Sequence, residues 1–527
     1  MAEATQPRDD SYDVVVIGSG LGGVSAAALL AKHGQKVLLA ERGDAPGGYA
    51  HAFKREKDGR KYLFDAAIHV IPEGEFTEGL LDYLGVKDKA TLVECDSLYG
   101  VVFPDFRLNV PMGREEFVAT HIEHFPHQAQ AIRDFFAMLT KIFYEASALP
   151  FQLSMTDMGR AEAEFPNLFK YRTYSAGQFI DEFITDPHLK AVLGACWSYM
   201  GLPPSRLSCL HFSQLLNVII DGSFYCKGSF QKLVDAFIFA LERDGGELVV
   251  NNPVEKILVE EGQVRGVTLA GGRQVRTSVV VSNADARETF DELVGEELLP
   301  RGFVRRLRRM QPSVSAFLIF AGTTLDLTAQ HAAHDNFLFT NWDHEQTWQD
   351  ILQVKPGGMS FNVPTLVDPS LAPPGEHAVI LRALAPFDIG KQWREERDRY
   401  AEDFLSISEK AFPGFRDSIT FYEAATPLVL ERFTRNYQGA CYGWEISPEQ
   451  TGSGRLGHET PIAGLYMSGH WTQEGAGSFR TMTSGINTAR IILGKAGVGD
   501  VIPTFKRSDL PQAWRAEKRA ALANKSS

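Results

Sequence analysis

At 527 residues the chain is long enough for two or three domains with ample core. Its composition, 44% apolar and 23% charged, is that of an ordinary globular protein. A net charge of −13 argues against the basic surface a nucleic-acid partner would need. Cys95, Cys196, Cys209, Cys226 and Cys441 are scattered, odd in number and form no CxxC pair. That pattern points to a reducing compartment and to no zinc or iron–sulfur site. The polar start MAEATQPRDDSYD has no apolar core of a secretory signal, so a cytoplasmic location is expected. Contact with a membrane through a local apolar surface is compatible with all of this.

In chain order, the first informative stretch is 13–48. Val14–Ile17 is a β-branched run suited to a fully buried strand, and Gly18, Gly20 and Gly23 then spell G-x-G-x-x-G. Val24 to His33 is an Ala/Leu run suited to a crossover helix, and a second strand, Val37–Ala40, ends in Glu41. Gly18 serves the tight turn, Gly20 the approach of backbone to a pyrophosphate, and Gly23 close packing of helix on strand. The helix N-terminus favours phosphate, and Glu41 is placed to accept from ribose hydroxyls, which disfavours a 2′-phosphate. A membrane span would also be uncharged over 14–31, but these glycines and serines make a poor one.

Six residues beyond Glu41 come Gly47 and Gly48, in the pattern ER-x4-GG. This resembles amine-oxidase-type and carotene-desaturase-type flavoproteins, in which the pair brings a second loop against the pyrophosphate of FAD. Phe64-Asp65-Ala66-Ala67-Ile68-His69 is similar to the F-D-x-G-I-H segment of the phytoene desaturase, carotenoid isomerase and retinol saturase group, with Ala67 in place of the glycine. That segment runs beside the flavin ring, so the resemblance makes His69 an acid/base candidate. Arg42 joins the cofactor contacts.

Residues 76–221 read as mostly helical. The aromatic-rich run 132–155 reads as a core helix, with a membrane-dipping cover over a greasy entrance as the alternative. His121, His124 and His127 are interrupted by Pro126, so no metal is expected there. Trp197–Pro204 resembles the family's W-x-Y-L-G-L-P-P turn, and Gly222–Ser229 its G-x-x-Y-x-x-G-G segment. A helix over 230–243 leads into strands around Pro253. Val264–Thr268 and Val275–Val281 follow as a small antiparallel sheet plus a return strand. In related flavoproteins the residue at Val254 pairs its backbone with adenine. Ser282-Asn283-Ala284-Asp285 resembles S-N-A-D, which puts Asn283 at the ligand-binding edge of the sheet. Ser313–Phe320 and Val379–Leu384 read as strands, and Trp393–Phe412 as a helix with a solvated face.

Residues 464–493 supply a strand, a glycine-rich turn and a helix with small residues on one side. The turn aims a second helix N-terminus at the pyrimidine edge of a flavin. Gly469, Thr472, Gly475, Gly477, Ser484 and Gly485 match the family pattern G-x-x-T-x-P-G-x-G and its following S-G. Thr481 is counted with the cofactor contacts. Glu474 replaces the family's proline and Arg480 a glycine. Either they pair with each other or with solvent, or one faces substrate. In the second case Glu474 is a proton donor or acceptor, or Arg480 holds a carboxylate or carbonyl. His470 and Trp471 are expected to shape the pocket.

The resemblance implies an α/β protein with a Rossmann-like FAD-binding domain and a discontinuous α+β substrate domain, the amine-oxidase or glutathione-reductase-2-like architecture. The FAD-binding parts are 11–75, 222–300 and 458–500; the substrate parts are 76–221 and 301–457; a tail with a basic helix spans 501–527. The expected activity is desaturation, saturation or isomerisation of C–C double bonds in a lipophilic carotenoid, retinoid or polyene. A flavin amine oxidase and a non-catalytic escort of the same fold are the alternatives. The sequence leaves the oligomeric state open.

Overall fold

The structure, a computed structural model, describes residues 4–148, 158–497 and 502–503. The expected basic helix of the tail and the end of the 132–155 run lie outside the described residues. Strands Val14–Ile17 and Val37–Ala40 are buried on both faces, as their unbroken apolar sequences require. They form the middle of a five-stranded parallel sheet, in the order 247–249, 37–40, 14–17, 280–282, 465–467. Four segments far apart in the chain therefore meet in one sheet. Helix Leu21–Lys32 lies against helix Ser478–Lys495. A Cβ on Gly485 would fall 2.1 Å from Ser25 Oγ and 2.4 Å from the Gly22 carbonyl. Small residues at this crossing let both helices start at the same edge of the sheet.

A second, seven-stranded sheet runs 419–425, 315–323, 377–385, 358–362, 335–339, 99–103, 106–110. Its last two strands come from the segment expected to be mostly helical. Tyr99–Phe103 and Phe106–Val110 form a hairpin about Pro104-Asp105, and Asn336 to Leu338 pair in parallel with Gly100 to Val102. The hairpin thus completes a sheet whose neighbouring strand lies more than two hundred residues later in the chain.

Helix Ala129–Ala148 buries Ile132, Phe135, Phe136, Leu139, Ile142 and Phe143 in the core beside this hairpin, and leaves Arg133, Asp134 and Lys141 exposed. His121 and His127 serve separate ends: His121 donates from Nδ1 to the Phe117 carbonyl at 2.7 Å, and His127 pairs with Asp186. Among the described residues no helix is long and apolar enough to cross a membrane. Between the two sheets lies a cavity of about 1850 Å³.

Candidate active site

The cavity exceeds the roughly 300–1,000 Å³ of a pocket for one small ligand, so it has room for a dinucleotide and a second molecule. At one end the backbone has been pared to glycine. Gly18 has φ +88°, and a Cβ on Gly23 would fall 2.0 Å from the Gly18 carbonyl. Asn283 wedges its side chain between the two glycine turns. Added Cβ atoms would meet it at 2.8 Å from Gly20, 2.6 Å from Gly22 and 2.4 Å from Gly469. Gly22 was not singled out in the motif, yet a Cβ there would also fall 2.8 Å from the Gly469 backbone. The helix beginning at Leu21 has no side-chain cap at Gly20, which leaves its first N–H groups for a ligand.

Glu41 stands on the cavity wall at the end of its strand. It accepts from the Ser19 N–H at 3.0 Å and from the Gly43 N–H at 2.7 Å, and Gly47 donates to Ser19 Oγ at 3.0 Å. The acid, the first turn and the Gly47-Gly48 loop are thereby tied together beside the cavity, with lone pairs left on Glu41 for a ribose. Val254 and Gly48 share the wall. Arg42 lines it too, but donates to the Arg432 and Phe433 carbonyls at the end of helix Pro427–Thr434, which anchors this end to the other sheet's layer.

At the far end, Gly469, Gly475 and Gly477 have φ of +87°, +78° and +111°, conformations an L side chain resists. They lead into helix Ser478–Lys495, whose Gly477 start is again uncapped by a side chain. Thr481 lines the cavity and turns its hydroxyl back to the Gly477 carbonyl at 3.0 Å.

Glu474 is held from three sides. It accepts from His458 Nε2 at 2.9 Å, Asn487 Nδ2 at 2.8 Å and Thr472 Oγ1 at 2.7 Å. Burial by itself would raise its pKa, but the His458 charge and these donors outweigh that and hold it at about 2. His458 is 3% exposed; burial opposes its charge, yet Glu474 raises its pKa. A carboxylate so placed carries no proton near neutrality and gives up its lone pairs with difficulty. Glu474 lines the cavity and at the same time ties the turn to His458 and Asn487. Nothing in the spacing of the chain flagged His458.

Arg480 donates to the Glu474 backbone carbonyl, so the two departures from the family pattern do contact one another, and Arg480 also lines the cavity. Arg455, 2% exposed, clamps the turn by donating to the Thr472 carbonyl at 2.8 Å and the His470 carbonyl at 2.7 Å. His470 lines the cavity, with its pKa pushed down to about 3 by burial and by Arg455. Trp471 does not line it. Its indole is fully buried, 4.7 Å from Trp444 in ring centroids, and donates to Asn436 Oδ1 at 3.1 Å. The expectation that Trp471 shapes the pocket is corrected accordingly: the residue packs the core behind the turn.

His69 meets the cavity on the substrate side. It is 4% exposed, neither ring nitrogen has a hydrogen-bond partner, and burial followed by the charge of Arg382 keeps its pKa well below 6.5. It is a neutral imidazole set in the cavity wall.

Two uncapped helix starts, a glycine cradle that any Cβ would fill and an acid at the strand end fit a flavin nucleotide laid across the sheet edge. The class so defined is a flavin-dependent oxidoreductase. Residues 21–493 match the family described as flavin containing amine oxidoreductase, and the chain belongs to that family. It is 28% identical over 522 residues to prolycopene isomerase 1, chloroplastic, of an Oncidium hybrid cultivar, covering 94% of this chain and 86% of that one. It is 26% identical over 510 residues to the all-trans-retinol 13,14-reductase of Homo sapiens, covering 87% and 82%. It is 27% identical over 499 residues to the lycopene-forming phytoene desaturase of Pseudescherichia vulneris, covering 91% and 98%. These bear out the resemblance read from the motifs. Among solved structures, an oxidoreductase from Methanosarcina mazei shares the fold at a TM-score of 0.61 and 18% identity, covering 90% of this chain and 99% of that one.

Proposed function

We propose that the protein is an FAD-dependent oxidoreductase that desaturates, saturates or isomerises C–C double bonds in a lipophilic substrate of the carotenoid, retinoid or polyene type. The observation that carries this reading is the continuity of the cavity. One end is the glycine cradle; the other is walled by Phe143, Leu210, Leu215, Val218 and Ile219. Three relatives whose names describe an isomerase, a reductase and a desaturase of polyenes support it.

FAD, when bound, supplies hydride transfer at its N5 atom. Glu41 would accept from a ribose hydroxyl, Asn283 spaces the two glycine turns, and the helix starts at Leu21 and Ser478 would stabilise negative charge on the cofactor. The Glu474–His458 pair holds the second turn rigid. His69, neutral and without a partner, takes up or returns the substrate proton at a ring nitrogen. Tyr144, next to Phe143 on the cavity wall yet 56% exposed, marks a mouth at the apolar end. A greasy mouth suits a cytoplasmic protein that loads substrate at a membrane surface.

An amine oxidase shares the fold, but among the described residues no lysine lines the cavity to hold a water for that chemistry. An escort without cofactor would not need the glycine cradle. The deciding experiment is anaerobic mixing of the purified protein with polyenes. Bleaching of the oxidised flavin band, or recovery of that band after prior reduction, with a matching change in substrate hydrogen count, or a cis–trans change at constant hydrogen count for an isomerase, is the expected result. A flavin unresponsive to every polyene, with peroxide formed on adding amines, would refute it.

A further inference from the structure

The wall opposite the glycine turns carries a charge that the reading above does not use. Arg382 projects from the strand His377–Ala385, the third of the seven, into the cavity beside Ala316 and Leu318. Its Nη1 donates to the Tyr442 hydroxyl at 3.3 Å; its Nη2 is sealed from solvent without any partner. Tyr199 lies against it, 5.8 Å from guanidinium carbon to ring centroid. Among the described residues no carboxylate comes within ion-pair distance of it. Asp335 is the acid whose field it feels; the Tyr199 hydroxyl donates to Asp335 Oδ2, and Asp335 Oδ1 has no hydrogen-bond partner.

A buried guanidinium with a free donor edge, between aliphatic and aromatic walls, is costly unless something completes it. Arg480 does not offer the same opening, because its Nη1 is tied to the Glu474 carbonyl and it belongs to the flavin-side turn. Arg382 instead lines the cavity with a guanidinium, whose planar shape suits a carboxylate held through two parallel hydrogen bonds.

We propose that Arg382 anchors the carboxylate of the substrate. The preferred substrate class is then an unsaturated lipophilic carboxylic acid and not a bare hydrocarbon. This deepens the function proposed above and rests on it. The same cavity keeps its greasy wall for the hydrocarbon body, while the acid end fixes which double bond comes to rest against the cofactor.

The test titrates the yellow, full-length protein with retinoic acid and with its methyl ester, reading perturbation of the flavin spectrum. The two probes share a body and differ in the charge. The acid is expected to bind about tenfold or more tightly than the ester. In Arg382→Met that advantage disappears while ester binding and flavin content stay, and Arg382→Lys recovers part of it. Equal affinity of acid and ester for the wild type, or an acid preference that survives in Arg382→Met, would overturn the proposal and leave the polyene reading standing. If neither probe perturbs a bound flavin, the polyene reading itself falls and takes this one with it. Should Arg382→Met lose its flavin, the wild-type ratio and its decline in Arg382→Lys decide the matter.

Discussion

Replacing Glu474 with Gln keeps the shape of the side chain and removes the charge that His458 answers. Glutamate ordinarily titrates near 4.5, and here burial is overcome by His458 and two further donors so that the value is about 2. That difference corresponds to about 3 kcal/mol of folding stability, within the range of about 3–5 kcal/mol for breaking a buried pair. For 527 residues the entropy of unfolding is about 1.1 kcal/mol/K, so the loss appears as a Tm about 3 °C lower if the chain unfolds as a unit. The pH dependence has a definite sign. The Glu474 share is present above its ordinary 4.5 and lost as pH falls toward 2. The raised pKa of His458 gives a share that is full below 6.5 and lost as pH climbs through the folded value. Scanning calorimetry of wild type and Glu474→Gln should therefore show the widest Tm gap near about pH 5.5 and a narrower one near about pH 9. Equal gaps at both values, or no gap, would show that the pair does not secure the turn.

Three other variants probe the rest of the site. Gly22→Ala puts a methyl 2.6 Å from Asn283 and 2.8 Å from the Gly469 backbone, so it should fold yet purify without flavin colour, as the ratio of visible to protein absorbance will show. Glu41→Ala removes the ribose acceptor and three turn contacts, and equilibrium dialysis should find FAD bound roughly ten- to a hundredfold more weakly. His69→Gln should retain flavin while turnover falls by about a hundredfold or more. Because burial keeps the His69 pKa well below 6.5, wild-type turnover should not decline as pH drops from 8 to 6.5, on the order of the range where an ordinary histidine would titrate; a fall there would contradict the neutral imidazole.

Much of the cofactor end is legible in the chain because its demands are local. A glycine forced to positive φ, a β-branched run buried on two faces and an acid at a strand end each leave a mark within a few residues. Glu474 shows where such reading stops. Its departure from the family pattern drew attention to it, and pattern alone left pairing and a chemical role both open. Its character is set by His458, sixteen residues upstream, and by Asn487, thirteen downstream, which reach it only after the strand Leu465–Met467 enters the sheet. Trp471 misled for a similar reason: an aromatic next to a cofactor turn can point either way, and the indole of Trp444 supplies the packing partner.

The sequence by itself determined a dinucleotide-binding α/β architecture, two glycine turns opening two helices and the family to which the chain belongs. Those features follow from backbone sterics and periodicity, which act over one or two turns of chain. The tertiary structure decided that Tyr99–Phe103 and Phe106–Val110 extend the second sheet, that Asn283 spaces the two turns, and that Arg382 faces the same cavity as His69. Each depends on segments brought together from hundreds of residues apart, and the charge or hydrogen bond a side chain meets there is a property of the packed protein.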